Sequence, residues 1–96
     1  MTGGVAVVIT CFELGRYLPE AISSVTAQTE APAEIVVVDD GSSDPETVRA
    51  LAQIEAQEDG VRVIRAEHGG PARARNVGAA ATESSLAVFL DGDDLL

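Results

Sequence analysis

Asp91, Asp93 and Asp94 crowd together around Gly92, directly behind the apolar run Leu86-Ala87-Val88-Phe89-Leu90. Like charges this close repel one another, which is costly unless they are solvated, protonated or bound to a cation. Gly92 allows a tight backbone turn, so Asp91 and Asp93 can aim at one point from the end of a strand. Mg²⁺ and Mn²⁺ prefer oxygen ligands and need only one or two carboxylates from protein when phosphates supply the rest. The pattern points to a metal–phosphate site. The plainer alternative is a solvated acidic turn.

Two more stretches carry candidate chemistry. Asp39-Asp40 closes the apolar run Ile35 to Val38 and precedes Gly41-Ser42-Ser43. Asp39 suits a cap, accepting from the amides near Gly41 to Ser43. For Asp40 two readings stand: another cap, or a carboxylate in a crevice that accepts from the N–H of a nucleobase. The second stretch is His68-Gly69-Gly70-Pro71-Ala72-Arg73-Ala74-Arg75-Asn76-Val77-Gly78. Glycines ahead of a helix can cradle phosphate through free amides. Arg73 and Arg75, two apart on a helix, face different ways. Either both form surface ion pairs, or one pairs while the other reaches the crevice. His68 has no Cys or His partner at metal-ligand spacing and reads as an ordinary loop imidazole. Neither a Gly-x-Gly-x-x-Gly after the first strand nor a Gly-Lys-Ser/Thr occurs, so dinucleotide and P-loop sites lack their fingerprints.

The elements that must position these residues alternate. Val5 to Thr10 is continuous and rich in β-branched residues, as in a strand covered on both faces. Cys11 to Tyr17 reads as a loop. A helix starts near Pro19 with Leu18, Ala21, Ile22 and Val25 along one face, and Ala31-Pro32 ends that unit. Glu34 to Val38 is a second buried strand. Asp44-Pro45-Glu46 opens a second helix with an N-cap acceptor, Pro at the first position and a carboxylate near the positive end of the dipole. Val48, Leu51 and Ile54 give it a buried side, and Asp59-Gly60 stops it. Val61 to Arg65 alternates as a sheet-edge strand does. Gly69-Gly70-Pro71 opens a third helix to about Ala81, in which Val77 and Gly78 allow close packing. Leu86 to Leu90 is the fourth strand.

This β-α-β-α-β-α-β pattern predicts right-handed crossovers and a Rossmann-like parallel sheet in the order 3-2-1-4, with helices on both faces. Ligands of such sheets bind beyond the carboxyl ends of the strands where the order reverses, here between strands one and four. Thr10 to Glu13, Asp39 to Ser43 and Asp91 to Asp94 meet at that point. A phosphorelay receiver domain is a competing source of acidic pairs. It fits poorly, because its pair follows the first strand, where Cys11-Phe12 stands.

Composition narrows the partners. In 96 residues, 16 acidic side chains oppose 6 basic ones, all Arg, for a net charge of −10. That disfavours nucleic acid and anionic membranes, which need a basic face. A phosphate-bearing ligand then requires a metal or a local Arg. Cys11 is the single cysteine, so no internal disulfide forms and a cytoplasmic setting is favoured. No apolar run reaches the roughly 20 residues of a membrane span, and the N-terminus lacks the charged start of a signal peptide.

The residues together resemble a family. Val7-Val8-Ile9-Thr10-Cys11-Phe12 with Tyr17 to Thr29, Glu34 to Asp44, Gly69 to Gly78, and Phe89-Leu90-Asp91-Gly92-Asp93-Asp94 are similar, in order, to the motifs of family 2 glycosyltransferases. The last is similar to that family's Asp-x-Asp segment. The resemblance implies the N-terminal portion of a GT-A fold. It also implies transfer of a sugar from a nucleotide diphosphate sugar, commonly a uridine one, to an acceptor hydroxyl with inversion. Carried over by residue, Thr10 and Phe12 line the nucleotide site, Asp40 reads the base, and Arg75 lies near the donor. Asp91 lies by the ribose, and Asp93 meets the Mn²⁺ or Mg²⁺ on the diphosphate. The family usually has Pro at Thr10 and Tyr-Asn at Phe12-Glu13. Phe keeps a stacking face without the hydroxyl, and Glu13 adds charge near a phosphate site.

The family's catalytic base and acceptor site are expected beyond Leu96, so residues 1–96 read as the donor-binding portion, ending just after the Asp-x-Asp-like segment. A non-catalytic nucleotide-diphosphate-binding or association module is the alternative. The acceptor is unknown. The chain is expected to associate with a second copy as a two-fold homodimer, through the edge formed by Leu86 to Leu90, which has no Lys or Pro in it, or through the apolar surface next to that edge.

Overall fold

Continuous Val and Ile runs favour strands buried on both faces, and the chain forms four of them. The computed structural model describes residues 4–28, 32–58, 60–84 and 86–92. The strands are β1 (Val5–Cys11), β2 (Glu34–Asp40), β3 (Val61–Ala66) and β4 (Leu86–Asp91). Between them lie α1 (Leu18–Thr26), α2 (Pro45–Gln57) and α3 (Pro71–Ala81). All strand pairs are parallel, in the order β3-β2-β1-β4, as the sequence predicts. The order reverses between β1 and β4, which places Thr10 beside Asp91.

Strand side chains alternate between the faces, and each face has its own core. Val7, Ile9, Cys11, Ile35 and Val37 meet Leu18, Ala21, Ile22 and Val25 of α1 and Leu51 and Ile54 of α2. Val8, Val36 and Val38 meet Ala74 of α3 on the other face. Burying each Val, Leu or Ile here contributes roughly 1.5–3 kcal/mol, which makes these faces the main support of the fold. α3 approaches closely because of Gly78. A Cβ there would lie 2.3 Å from Val8 Cγ1 and 3.0 Å from Val38 Cγ2.

Three local expectations need correction. Val48 is 47% exposed, and the buried face of α2 is Thr47, Leu51 and Ile54. Those three are spaced i, i+4, i+7, and Val48 is turned by about 100° from Thr47. Hydrogen bonds set this rotation. Asp44 Oδ2 accepts from both the amide and the hydroxyl of Thr47, each at 3.0 Å, and Thr47 Oγ1 accepts from the Gly15 amide at 3.0 Å. The loop expected from Cys11 to Tyr17 starts only at Phe12, because Cys11 ends β1 in register with Asp39, and it contains a short 3-10 turn, Gly15–Tyr17, leading into α1. Asp91 belongs to β4 itself rather than to the turn after it. Ala31, Asp59, Asp93 and Asp94 lie outside the described residues. No helix among the described residues is long and apolar enough to cross a membrane.

Candidate functional site at the carboxyl ends of the strands

Parallel strands send their chain ends to one side of the sheet, so the polar residues after β1, β2 and β4 converge. A cleft of about 320 Å³ opens there. Thr10, Phe12, Asp40, Arg75 and Asp91 all line it, and Cys11, Leu14, Pro71 and Ala74 complete its wall. The volume lies at the small end of ligand pockets. Asp93 lies outside the described residues, so its position relative to the cleft is not part of this geometry.

Each element fixes its side chain by a specific bond. The Thr10 hydroxyl donates to Asp91 Oδ1 at 3.2 Å, and the Gly92 amide donates to the Thr10 carbonyl at 2.8 Å. These contacts join the ends of β1 and β4. Asp39 accepts from the Ser42 amide at 3.2 Å, the cap that the sequence suggested. Asp40 is only 4% exposed and makes neither a local cap nor an empty carboxylate. It reaches across to the start of α3, where Oδ1 accepts from Gly69 N at 2.9 Å and Oδ2 from Gly70 N at 3.1 Å. This overturns the reading of those amides as a free phosphate cradle, because Asp40 occupies them. A carboxylate has about four lone-pair sites, so Asp40 keeps acceptor capacity toward the cleft.

Glu13 also differs from expectation. Its carboxylate turns back onto the loop after β2, where Oε1 accepts from the amides of Ser43 at 2.8 Å and Asp44 at 3.0 Å. In return the Glu13 amide donates to Ser42 Oγ at 2.8 Å. Its charge is thus spent on clamping two loops, with Glu13 held at a left-handed φ of 57°. Arg75 lines the cleft from α3, while Arg73 lies back along Gly69. Among the described residues neither arginine forms an ion pair; the pairs present are Arg65 with Glu55 and His68 with Asp40, each at 3.1 Å.

Sequence reasoning missed His68. Its ring stacks on Phe12 with centroids 4.4 Å apart and planes 30° apart, and Nδ1 faces Asp40. No metal-ligand spacing marks it, and its partners come from other elements. Cys11 is a poor nucleophile as it stands, being only 1% exposed. Burial pushes its thiol up to about 11, with the charge of Asp39 adding to the shift and the bond to the Leu14 backbone opposing it.

The chemistry this arrangement supports is recognition of a planar, hydrogen-bonding ring beside a phosphate-bearing group. Phe12 offers an aromatic face, Asp40 an acceptor, Arg75 a cation, and Asp91 a half-committed carboxylate. Among the described residues no group of three His, Cys, Asp or Glu side chains could enclose a metal. A hard cation bound here would have to take most of its ligands from phosphate.

Comparison with known proteins gives the same direction. The family model "Glycosyl transferase family 2" matches residues 6–96. An uncharacterised glycosyltransferase of Nostoc is 39% identical over 95% of the chain, and GlyG of Streptococcus pneumoniae is 32% identical over 96%. The chain spans 28% and 31% of those two proteins. Among solved structures, S. aureus TarS in complex with UDP-GlcNAc superposes with a TM-score of 0.78 at 29% identity, covering 95% of this chain and 27% of TarS. The mannosyltransferase PcManGT of Pyrobaculum calidifontis, in complex with GDP-Man and Mn²⁺, has a TM-score of 0.80 at 26% identity, covering 95% of this chain and 28% of its own.

Proposed function

The chain belongs to glycosyltransferase family 2, with the sheet of a GT-A N-terminal portion, and on that premise we propose that its cleft binds the donor of a sugar transfer, a nucleotide diphosphate sugar. One observation carries the reading. Thr10 of β1, Phe12 of the loop after it, Asp40 of β2, Arg75 of α3 and Asp91 of β4 line a single cleft at the point where strand order reverses. Structures similar to this chain hold UDP-GlcNAc or GDP-Man, and the reading takes a uridine nucleotide as the first candidate.

In this reading Phe12 carries the base on its ring, and Asp40 accepts from the base N–H. Thr10 holds Asp91 in the orientation that meets the ribose. Arg75 faces the diphosphate and favours the charge that grows there as the sugar–phosphate bond breaks. Mn²⁺ or Mg²⁺, held through Asp93 and the diphosphate, would supply further charge neutralisation. Such help suits a protein of net charge −10, whose own field opposes a diphosphate. The reaction is an inverting displacement by an acceptor hydroxyl. The acceptor site and the carboxylate that takes the hydroxyl proton are assigned to the remaining length of such proteins, since this chain spans under a third of its relatives.

The test is thermal unfolding with uridine diphosphate or guanosine diphosphate, each with and without Mn²⁺ or Mg²⁺. Ligand that binds only the folded state raises Tm, by about 2.7 kcal/mol of stabilisation at a hundredfold excess over Kd. The rise is expected only when metal is present, and Asp93→Asn is expected to abolish it. Stabilisation that is equal with and without metal would sink the metal's role. Failure of both nucleotides to stabilise the protein, with or without metal, would sink the donor site.

A further inference from the structure

Building on the nucleotide reading of the cleft, we propose that His68 is a positioning residue for the base: one imidazole backs the Phe12 ring and pins the Asp40 carboxylate from outside the cleft. Nδ1 lies 3.1 Å from Asp40 Oδ2 and 3.1 Å from the Asp40 carbonyl oxygen. Both are acceptors, so Nδ1 carries a hydrogen and donates. The same ring lies 4.4 Å from the Phe12 centroid, an aromatic stacking distance. Phe12 and Asp40 line the cleft, and His68 is absent from its wall. A ring entering the cleft therefore reaches both groups with the imidazole still behind them.

The loop around His68 is built to keep it there. Gly41 follows Asp40 at a φ of 75°, and a Cβ on it would lie 2.6 Å from the His68 amide nitrogen. The next two amides, of Gly69 and Gly70, hold the two oxygens of the same carboxylate. Three consecutive residues thus fix Asp40 in one orientation, and the first of them also restricts Phe12, which is otherwise an exposed side chain on a loop. Preorganised contacts bind more tightly because less freedom is lost on association. The opposite idea is that His68 fills the place of the base, since a stack and a bond to Asp40 are what a base would make. That idea predicts tighter binding when the imidazole is removed.

Calorimetry on the 96-residue protein separates the two. The probes are inorganic pyrophosphate with Mn²⁺, and whichever of uridine and guanosine diphosphate with Mn²⁺ the unaltered protein binds more tightly. His68→Ala is expected to weaken the nucleoside diphosphate about tenfold, the size of a lost stack and hydrogen bond combined, and to change pyrophosphate by less than about twofold. His68→Phe keeps a ring but no donor and is expected to fall between the two. The Tm of the free protein should hardly move, since the imidazole is largely exposed. Unchanged or tighter nucleotide binding by His68→Ala, or equal losses for both probes, would overturn the positioning role alone. A protein that binds neither nucleotide overturns the donor-site reading, and the positioning role with it.

Discussion

Asp40 takes its donors from residues 28 to 30 positions away in the chain, so its replacement acts on folding and on recognition together. Asp40→Ala strips the Gly69 and Gly70 amides of their acceptor and is expected to cost about 1–3 kcal/mol in denaturant unfolding. If Asp40 also reads the base, the same variant loses nucleoside diphosphate binding while pyrophosphate with metal still binds. A purely structural carboxylate would lower stability and leave the ratio of the two affinities unchanged. The identity of this residue as a candidate was legible, because a carboxylate just past a buried strand has few reasons to be there. Its partners were not. They depend on where the third helix begins relative to the end of the second strand, a register no local pattern encodes. Glu13 and His68 fail to announce themselves for the same reason. The left-handed φ of 57° turns Glu13 toward Ser43 and Asp44, and nothing in its own neighbours prescribes that turn.

At the scale of elements, the strands and their order followed from β-branched runs separated by helical segments, because the buried faces need two independent coverings. The rotation of α2 did not follow. A pattern of apolar positions placed Val48 inward, whereas the Asp44–Thr47–Gly15 hydrogen bonds turn Thr47 there instead. α3 illustrates the reverse case, where a residue type stated the packing outright. Gly78 sits against Val8 and Val38, close enough that a Cβ forces one of them to move. Gly78→Ala would gain helix propensity of up to about 1 kcal/mol in an open helix. Here overpacking costs about 1–3 kcal/mol, so a net loss of stability is expected in denaturant unfolding. Because α3 also carries Arg75 into the cleft, that variant should weaken ligand binding as well. A more stable Gly78→Ala protein would mean that α3 can lift from the sheet without cost.

At the scale of the whole molecule, the two strands that are outermost among the described residues differ in how they meet solvent. β3 carries two exposed charges, Arg62 bonded to the Ala81 carbonyl and Arg65 paired with Glu55, and charged residues on an edge strand oppose pairing with another strand. β4 has no charge from Leu86 to Leu90, and Leu86, Val88 and Phe89 are 66%, 40% and 44% exposed. The net charge of −10 keeps molecules apart at long range, yet at physiological salt it is screened beyond about 8 Å. An apolar edge of this kind therefore remains attractive at contact. A two-fold axis perpendicular to the sheet would bring two β4 edges together antiparallel, satisfying the outward backbone groups of both. The 96-residue chain is thus expected to sediment as a dimer at micromolar concentration. Val88→Lys, which places a solvated ammonium on the edge without disturbing a buried core position, should return it to a monomer. If the unaltered chain sediments as a monomer and Val88→Lys changes neither its mass nor its solubility, then the β4 edge is not an association surface in this chain.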